Sequence, residues 1–373
     1  MRAVHLWMAV FCVFFALGAQ ADPGVTGERI VLGQTGAASG PLASLNTEYI
    51  GGARLFFEQT NRAGGVAGRR IELITLDDGY DPAQAEKNTH ELIARKQVFA
   101  LFGCFGTGPG MKTIPVASAA KVPFFAPYTG ADALRPLNAA VFHLRASYGQ
   151  EIEAIVKHLV SAGITAIGVV HHADSFGNAG LDVARKALAQ RGLTPALEVA
   201  IAASGDDADA VARKIADTTP AALIMVTAGK SSVALMEGLN AHNARPMLYG
   251  LSVISANQLI QTLGPKAHGL VIAQVVPSPF RLDHPIVQQY RKAAEAARQA
   301  MSYTALEGYI AAQVFVEGLK RAGTELTREG LISALEGLNG WDLGGWKISF
   351  SSADHEASDY VDLAIISRGR YLR

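Results

Sequence analysis

Short apolar runs alternate with amphipathic segments along most of this chain. The apolar runs are typical of buried strands, and the segments between them repeat apolar residues at helical spacing. One clear helical stripe consists of Ile152, Ile155, Val156, Leu159 and Val160. We predict strands over 29–34, 71–77, 97–103, 122–126, 166–171, 197–202, 222–227, 247–251, 270–275, 346–350 and 360–367. Such alternation favours parallel sheets that are covered by helices on both faces.

The segments between these strands predict the helices. Asp81 is suited to cap a helix that begins at Pro82, because proline is favoured at the first helical position. Further helices are predicted over 49–62, 110–120, 180–190, 206–218, 231–242, 285–301, 304–322 and 327–336. The strands are too many for one compact sheet. We therefore predict an α/β protein with two lobes of similar build and a ligand cleft between them.

Residues 71–130 indicate a ligand site most directly. Apolar strands in this segment end in small, hydroxyl-bearing or aromatic residues, and ligands bind at the carboxyl ends of strands in open parallel sheets. The glycine-rich stretch 103–110 lacks the spacing of a phosphate loop. We favour a helix N-terminus that attracts a carboxylate, with Thr107 as an additional hydroxyl donor. A tight turn from strand to helix without a ligand is the alternative.

The N-terminus has the pattern of a cleaved secretory signal over residues 1–21. Arg2 precedes an apolar run over 6–17, and small residues at 19 and 21 fit a cleavage site. Cleavage would leave 352 residues with 32 basic and 33 acidic side chains. This balance argues against nucleic acid or an anionic membrane as the main partner. Cys104 would be the remaining cysteine, and we interpret it as a buried apolar residue.

Other reactive residues favour structural roles. His171 and His172 are adjacent in a strand and point to opposite sides, so they cannot easily share a metal ion with Asp174. Asp77 and Asp78 are expected to end a strand and cap a turn. The Gly-x-Ser-x-Gly elbow of a hydrolase is absent from the sequence. We therefore predict neither an enzyme nor a resident cofactor or metal.

Several motifs together resemble the leucine/isoleucine/valine-binding protein family. These are type I periplasmic solute-binding proteins of ATP-driven importers. The motifs are Thr-Gly-Ala-Ala-Ser-Gly-Pro at 35–41, Asn-Arg-Ala-Gly-Gly-Val-Ala-Gly at 61–68 and Asp-Asp-Gly-Tyr-Asp-Pro-Ala-Gln-Ala at 77–85. Phe-Gly at 176–177 also fits, and the resemblance extends from about Arg29 to Ile366.

This resemblance implies two Rossmann-like lobes that close on a small solute. The chain would cross between them near Arg145, Ala273 and Gly345. The first lobe would hold residues 22–145 and 275–345, and the second 146–274 and 346–373. The expected protein is a periplasmic monomer without a catalytic role, which delivers its solute to a membrane permease. A periplasmic sensory protein would use the same fold and is the alternative function.

The resemblance also suggests which residues touch the ligand. In the family, backbone amides and hydroxyls after the third and fourth strands hold the ligand carboxylate. Phe105 stands where serine is usual, so this contact would shift to Gly106, Thr107 or Thr129. The full predicted set is Ser39, Leu45, Cys104, Phe105, Gly106, Thr107, Tyr128, Thr129, Tyr148, Phe176, Ser252 and Tyr303.

Four departures from the family pattern bear on the ligand. Ser252 stands at the position of the acid that pairs with the ligand ammonium, while Leu45 and Ala228 replace aromatic residues. Tyr80 replaces the cysteine that would form a disulfide with Cys104. Burying an ammonium without a carboxylate is costly. We therefore predict an aromatic or apolar small carboxylate as the ligand. The alternative is an amino acid whose ammonium is held by another acid, such as Glu307.

Overall fold

The computed structural model describes residues 22–368 and 370–372, so the predicted signal at 1–21 lies outside the described residues. The strands are β1 (Arg29–Gly36), β2 (Arg70–Asp77), β3 (Ala100–Phe102), β4 (Phe124–Phe125), β5 (Val141–Phe142), β6 (Ile167–His172), β7 (Leu197–Ile201), β8 (Ala222–Val226), β9 (Met247–Gly250), β10 (Val271–Gln274), β11 (Trp341–Asp342), β12 (Lys347–Ile348), β13 (Asp362–Ser367) and β14 (Arg370–Leu372). The helices are α1 (Ala43–Arg62), α2 (Pro82–Ala94), α3 (Thr107–Ala119), α4 (Tyr148–Ser161), α5 (Ser175–Ala189), α6 (Ala208–Thr218), α7 (Lys230–Ala241), α8 (Ala256–Leu263), α9 (Pro285–Ala296), α10 (Tyr303–Ala322) and α11 (Arg328–Glu336).

Each lobe is built on one large sheet. The first sheet has the order β2-β1-β3-β4-β5, with all neighbours parallel. The second repeats this winding as β7-β6-β8-β9-β10 and is extended beyond β10 by β13 and β14, each antiparallel to its neighbour. In such a sheet, ligands bind beside the carboxyl ends of the strands where the winding reverses. The prediction of two doubly wound lobes is confirmed.

Local sequence signals explain where several helices begin. Asp81 accepts hydrogen bonds from the backbone N–H groups of residues 83 and 84, and Pro82 opens α2 as predicted. Ser147 and Gln150 form a reciprocal capping box at the start of α4. α3 begins at Thr107, three residues before the predicted start. The sequence did not predict this first turn because it is rich in glycine and proline. Such residues have low helix propensity, yet proline is tolerated in a first turn.

The chain passes between the lobes three times. It leaves β5 and enters α4 through residues 143–147, and it returns from β10 to α9 through residues 275–284. After β12 the chain stays beside the first lobe. Glu356 forms a parallel β-bridge with His143, and Phe350 packs edge-on against Phe142. We propose that the third crossing lies between 357 and 362, later than the expected position near Gly345.

Two glycines allow α1 and α10 to pack closely in the first lobe. A Cβ on Gly308 would lie 1.9 Å from the carbonyl oxygen of Tyr49, and one on Gly52 would lie 1.8 Å from that of Ala305. This contact positions the first turns of α10, including Glu307, next to the cleft.

Within residues 22–368 and 370–372, no helix is both long enough and apolar enough to cross a membrane.

Candidate ligand site between the lobes

A cavity lies between the lobes and holds about 260 Å³ of free space, including the part that opens to solvent. It is lined by Leu42, Leu45, Tyr80, Phe105, Gly106, Thr107, Tyr128, Tyr148, Phe176, Ala228 and Val253. Both lobes contribute walls. Among the described residues, those that line this cavity are apolar, aromatic or hydroxyl-bearing, and none carries a charge.

The loop after β3 brings an aromatic side chain into the cavity. The N–H of Phe105 donates to the carbonyl of Thr35 at 3.1 Å, and the N–H of Gly106 donates to the carbonyl of Tyr128 at 3.2 Å. Gly106 has φ of 99°, where glycine is strongly favoured over other residues. These contacts hold Phe105 between the ends of β1 and β4.

The start of α3 supplies hydrogen-bond donors at the same place. The first N–H groups of a helix have no acceptor within the helix. Because Pro109 has no N–H, the backbone donors of this first turn are those of Thr107 and Gly108. The Thr107 and Thr129 hydroxyls are hydrogen-bonded to each other at 2.8 Å. A helix N-terminus with free donors and a positive dipole end favours an anion.

Aromatic rings form most of the remaining wall. Phe105 stacks on Tyr128 with centroids 5.4 Å apart, and Tyr80 meets Phe105 edge-on at 5.9 Å. From the second lobe, Tyr148 and Phe176 pack edge-on at 5.3 Å. Such rings supply a large apolar surface with defined orientation. The walls therefore suit a flat or apolar ligand body.

Asp77 and Asp78 build the loop that carries Tyr80. Asp77 accepts hydrogen bonds from backbone N–H groups of both this loop and the 37–40 loop, including that of Ser39. Asp78 accepts from the Thr35 hydroxyl and from the N–H of Tyr80, each at 2.8 Å. Burial raises the pKa of Asp78 to about 6, although both donors act in the opposite direction. These carboxylates shape the loop, in agreement with the interpretation of the sequence.

A buried charge cluster lies behind the aromatic wall. Arg145, only 2% exposed, lies 3.4 Å from a Glu151 oxygen and 3.6 Å from a Glu307 oxygen. Ser252 joins the cluster: its N–H and hydroxyl donate to Glu151 at 2.7 and 2.9 Å, and its hydroxyl contacts the guanidinium. The guanidinium also lies 5.0 Å from the centroid of the Tyr128 ring. Glu151 belongs to the second lobe and Glu307 to the first, so Arg145 links the lobes at a crossing.

Burial determines the protonation of this cluster. It raises the pKa of Glu307 to about 7; Arg145 lowers that pKa in part, and the charge of Glu151 raises it further. The pKa of Glu151 is also raised by burial, against the effects of Arg145 and Ser252. Ser252 thus holds a protein carboxylate rather than facing the cavity, and Glu307 is paired with Arg145.

Glu307 should make stability depend on pH. Its folded pKa lies above the ordinary value of 4.5, so the native state holds a proton that the unfolded state loses first. The free energy of unfolding should therefore fall as pH rises from about 4.5 to 7, by up to roughly 3 kcal/mol. Urea unfolding of Glu307→Gln at pH 5 and pH 8 should show a smaller decrease than the wild type. An equal decrease in the free energy of unfolding of the two proteins would contradict this. The control is Glu58→Gln at an exposed position, which should show the same decrease as the wild type.

Seven of the twelve predicted residues line the cavity, and ligand contact by all twelve stays a prediction. The seven are Leu45, Phe105, Gly106, Thr107, Tyr128, Tyr148 and Phe176. Ser39 and Thr129 brace neighbouring loops, while Ser252 lies in the charge cluster and Tyr303 packs near Phe280.

Cys104 does not line the cavity. It is buried in a separate cluster with Val31, Leu92 and Leu101. Neighbouring residues in extended backbone point to opposite sides, so Phe105 enters the cavity and Cys104 faces away from it. Burial raises the pKa of its thiol to about 12, which favours an unreactive thiol.

Four lining residues were not in the predicted set. Ala228 and Val253 follow the ends of β8 and β9, Leu42 immediately precedes α1, and Tyr80 follows β2. Position after a strand end was the available signal for three of them. The Arg145 cluster had no such signal, because its members come from separate elements.

A serine, a histidine and an aspartate meet below the second-lobe wall. His172 Nε2 lies 2.6 Å from the Ser231 hydroxyl, and its Nδ1 lies 3.5 Å from an Asp174 oxygen. Ser231 is fully buried, does not line the cavity, and hydrogen-bonds to the carbonyl of Ala228. This geometry braces the Ala228 loop and gives a substrate no path to the hydroxyl. Elsewhere too, the described residues contain no cluster of three His, Cys, Asp or Glu that could hold a metal.

The lobes touch across the mouth of the cleft. The N–H of Lys230 donates to the carbonyl of Pro41 at 3.2 Å, and the Ser255 hydroxyl lies 2.6 Å from a Glu48 oxygen. A Cβ on Gly229 would lie only 2.3 Å from the Pro41 oxygen. The structure therefore shows the cleft closed, with the second lobe's α7 and α8 packed against the start of α1.

Two lobes with matching sheets and a closed cleft between them are typical of a periplasmic binding protein. A model of the periplasmic binding protein family matches residues 29–370, and the chain belongs to this family. Its members bind small solutes, and the fold is that of a binding protein rather than an enzyme. The family resemblance found in the sequence is confirmed.

Similar proteins agree with this assignment. The chain is 34% identical over 106 residues to Leu/Ile/Val-binding protein homolog 7 of Brucella abortus, covering 28% of this chain and 26% of that protein. It is 22% identical over 314 residues to homolog 3 of Brucella melitensis, covering 83% and 82%. A crystal structure of a possible leucine/isoleucine/valine-binding protein from Rhodopirellula baltica matches with a TM-score of 0.87 at 30% identity, covering 92% and 96%. The chain thus spans about a quarter of the first relative and most of the other two.

Proposed function

We propose that this protein captures a small aromatic or apolar carboxylate in its cleft and delivers it to the permease of an ATP-driven importer. The observation that carries the proposal is the composition of the cavity wall. Thr107 at the start of α3 lines the cavity on one side, aromatic and aliphatic side chains form the rest of the wall, and no charged side chain among the described residues lines it. The relatives are named as Leu/Ile/Val-binding protein homologues, which supports capture of a small solute as the role.

An amino acid ligand would need an acidic partner for its ammonium. The two acids near the wall, Glu151 and Glu307, both pair with Arg145. Neither acid lines the cavity, so an ammonium bound there would have no carboxylate directly beside it. The cavity therefore favours a ligand that brings a carboxylate and no ammonium.

Three matched compounds test this choice by calorimetry. Phenylacetate has the carboxylate, phenylacetamide replaces it with a neutral amide, and phenylglycine adds an ammonium to phenylacetate. We expect phenylacetate to bind at least about tenfold more tightly than either analogue, ~1.4 kcal/mol. It should also raise the melting temperature, since a ligand that binds only the folded state stabilises it. Tighter binding of phenylglycine or leucine than of phenylacetate would disprove the proposal.

Delivery to a permease needs a separate measurement. A strain that lacks this protein should take up the bound solute more slowly, and supplying the protein should restore uptake. Unchanged uptake, together with altered gene expression in response to the solute, would instead identify a sensory protein.

A further inference from the structure

We propose that Tyr80 is the residue that determines ligand length, by closing one end of the cavity with its ring. The proposal rests on the function proposed above but concerns a different property of the site.

The backbone of Tyr80 holds an unfavourable conformation to place this ring. Its φ is 70°, in the left-handed region that a non-glycine residue rarely adopts. Asp78 stabilises this conformation by accepting a hydrogen bond from the Tyr80 N–H at 2.8 Å, and the next residue, Asp81, caps α2. Strain held in place by surrounding contacts often marks a functional position.

The ring lies directly against Gly106, in the loop that we propose binds the ligand carboxylate. A Cβ on Gly106 would lie 2.4 Å from Tyr80 Cε2, so only glycine at 106 leaves room for the ring. The same ring meets Phe105 edge-on at 5.9 Å. Tyr80 therefore occupies space next to the start of α3, where a ligand bound by its carboxylate would extend.

Tyr80 also shares the cavity wall with Phe176 and Ala228 of the second lobe. Burial raises the pKa of its hydroxyl, and the nearby Asp174 charge and Tyr148 hydroxyl raise it further. Asp174 caps α5, which carries the lining residue Phe176. When the cleft is closed, Tyr80 thus bounds the cavity between the lobes, and a longer ligand would have to displace it.

Tyr80→Gly tests this without adding strain, because glycine readily adopts a positive φ. Wild-type protein should bind phenylacetate at least tenfold more tightly than phenylbutyrate, since one or a few methylenes too many in an apolar pocket cost about tenfold or more. Tyr80→Gly should reverse this order. Tyr80→Phe keeps the ring and should keep the wild-type order. Melting curves establish that each variant is folded.

The proposal would be overturned if Tyr80→Gly still bound phenylacetate more tightly than phenylbutyrate. It would also be overturned if Tyr80→Phe bound phenylbutyrate more tightly than phenylacetate. If neither acid binds the wild type, the proposed ligand class has failed. The length series is then repeated with phenylalkyl alcohols and amines, and the same comparison of Tyr80→Gly with Tyr80→Phe decides the role of Tyr80.

Discussion

Arg145→Met should lower the free energy of unfolding by about 3–5 kcal/mol, the range for removing one partner of a buried ion pair. The substitution keeps a long side chain but leaves Glu151 and Glu307 buried together without a cation. Both carboxyl groups already have raised pKa values because of burial. Without Arg145 these pKa values should rise further, so the loss of stability should be larger at pH 8 than at pH 5. Chemical denaturation at the two pH values measures this.

Two further variants separate charge from packing. Arg185 forms exposed ion pairs with Glu198 and Asp182, and Arg185→Met should change stability by less than about 1 kcal/mol. Combining Arg145→Met with Glu151→Gln and Glu307→Gln should recover part of the lost stability, because no unpaired charge then remains buried. A triple variant no more stable than Arg145→Met would show that the unpaired carboxylates are not the source of the lost stability.

Gly229→Ala should weaken ligand binding by roughly ten- to a hundredfold, since overpacking a tight contact costs about 1–3 kcal/mol. The added methyl would meet the Pro41 carbonyl oxygen, which lies in the opposite lobe. That clash exists only when the cleft is closed. The substitution should therefore favour the open form and reduce the population that holds ligand. Calorimetry gives the affinity, and small-angle scattering should show less compaction with saturating phenylacetate.

The control for this variant is Gly264→Ala. Gly264 has nearly the same backbone conformation as Gly229, with φ of 53° and ψ of −124° against 60° and −131°, but a Cβ there would meet nothing within 4 Å. It therefore reports the backbone cost of alanine without a clash between lobes. Wild-type affinity and full compaction in Gly229→Ala would show that closure does not depend on the contact at Pro41.

The sequence was sufficient for the architecture because most of the longer elements carry their own signal. Asp81 and Pro82 start α2 as predicted, and the alternation of apolar runs with helical stripes predicted both lobes. Signals failed where elements are very short or have unusual composition. β5 consists of two residues, too few to show a period, and the first turn of α3 consists of Thr-Gly-Pro-Gly.

The sequence likewise predicted some residues of the candidate site and missed others. Position after a strand end, together with the family resemblance, predicted Phe105, Thr107 and Tyr128 at the cavity, because parallel strands bring their ends to one edge. This rule does not tell which of two neighbouring residues in a loop points its side chain into the cavity. Cys104 was grouped with Phe105, but the side chains point to opposite sides of the sheet.

The sequence by itself determined the class of protein, the order of its elements and the loops that meet at the cleft. Only the tertiary structure decided what those loops enclose. Ser252 was predicted to face the ligand, yet it holds Glu151 beside Arg145. Tyr80, notable in the sequence only as a missing cysteine, forms part of the wall. Helical and strand periods are local, whereas pairing of buried charges and filling of a cavity depend on residues that the chain brings together from distant positions.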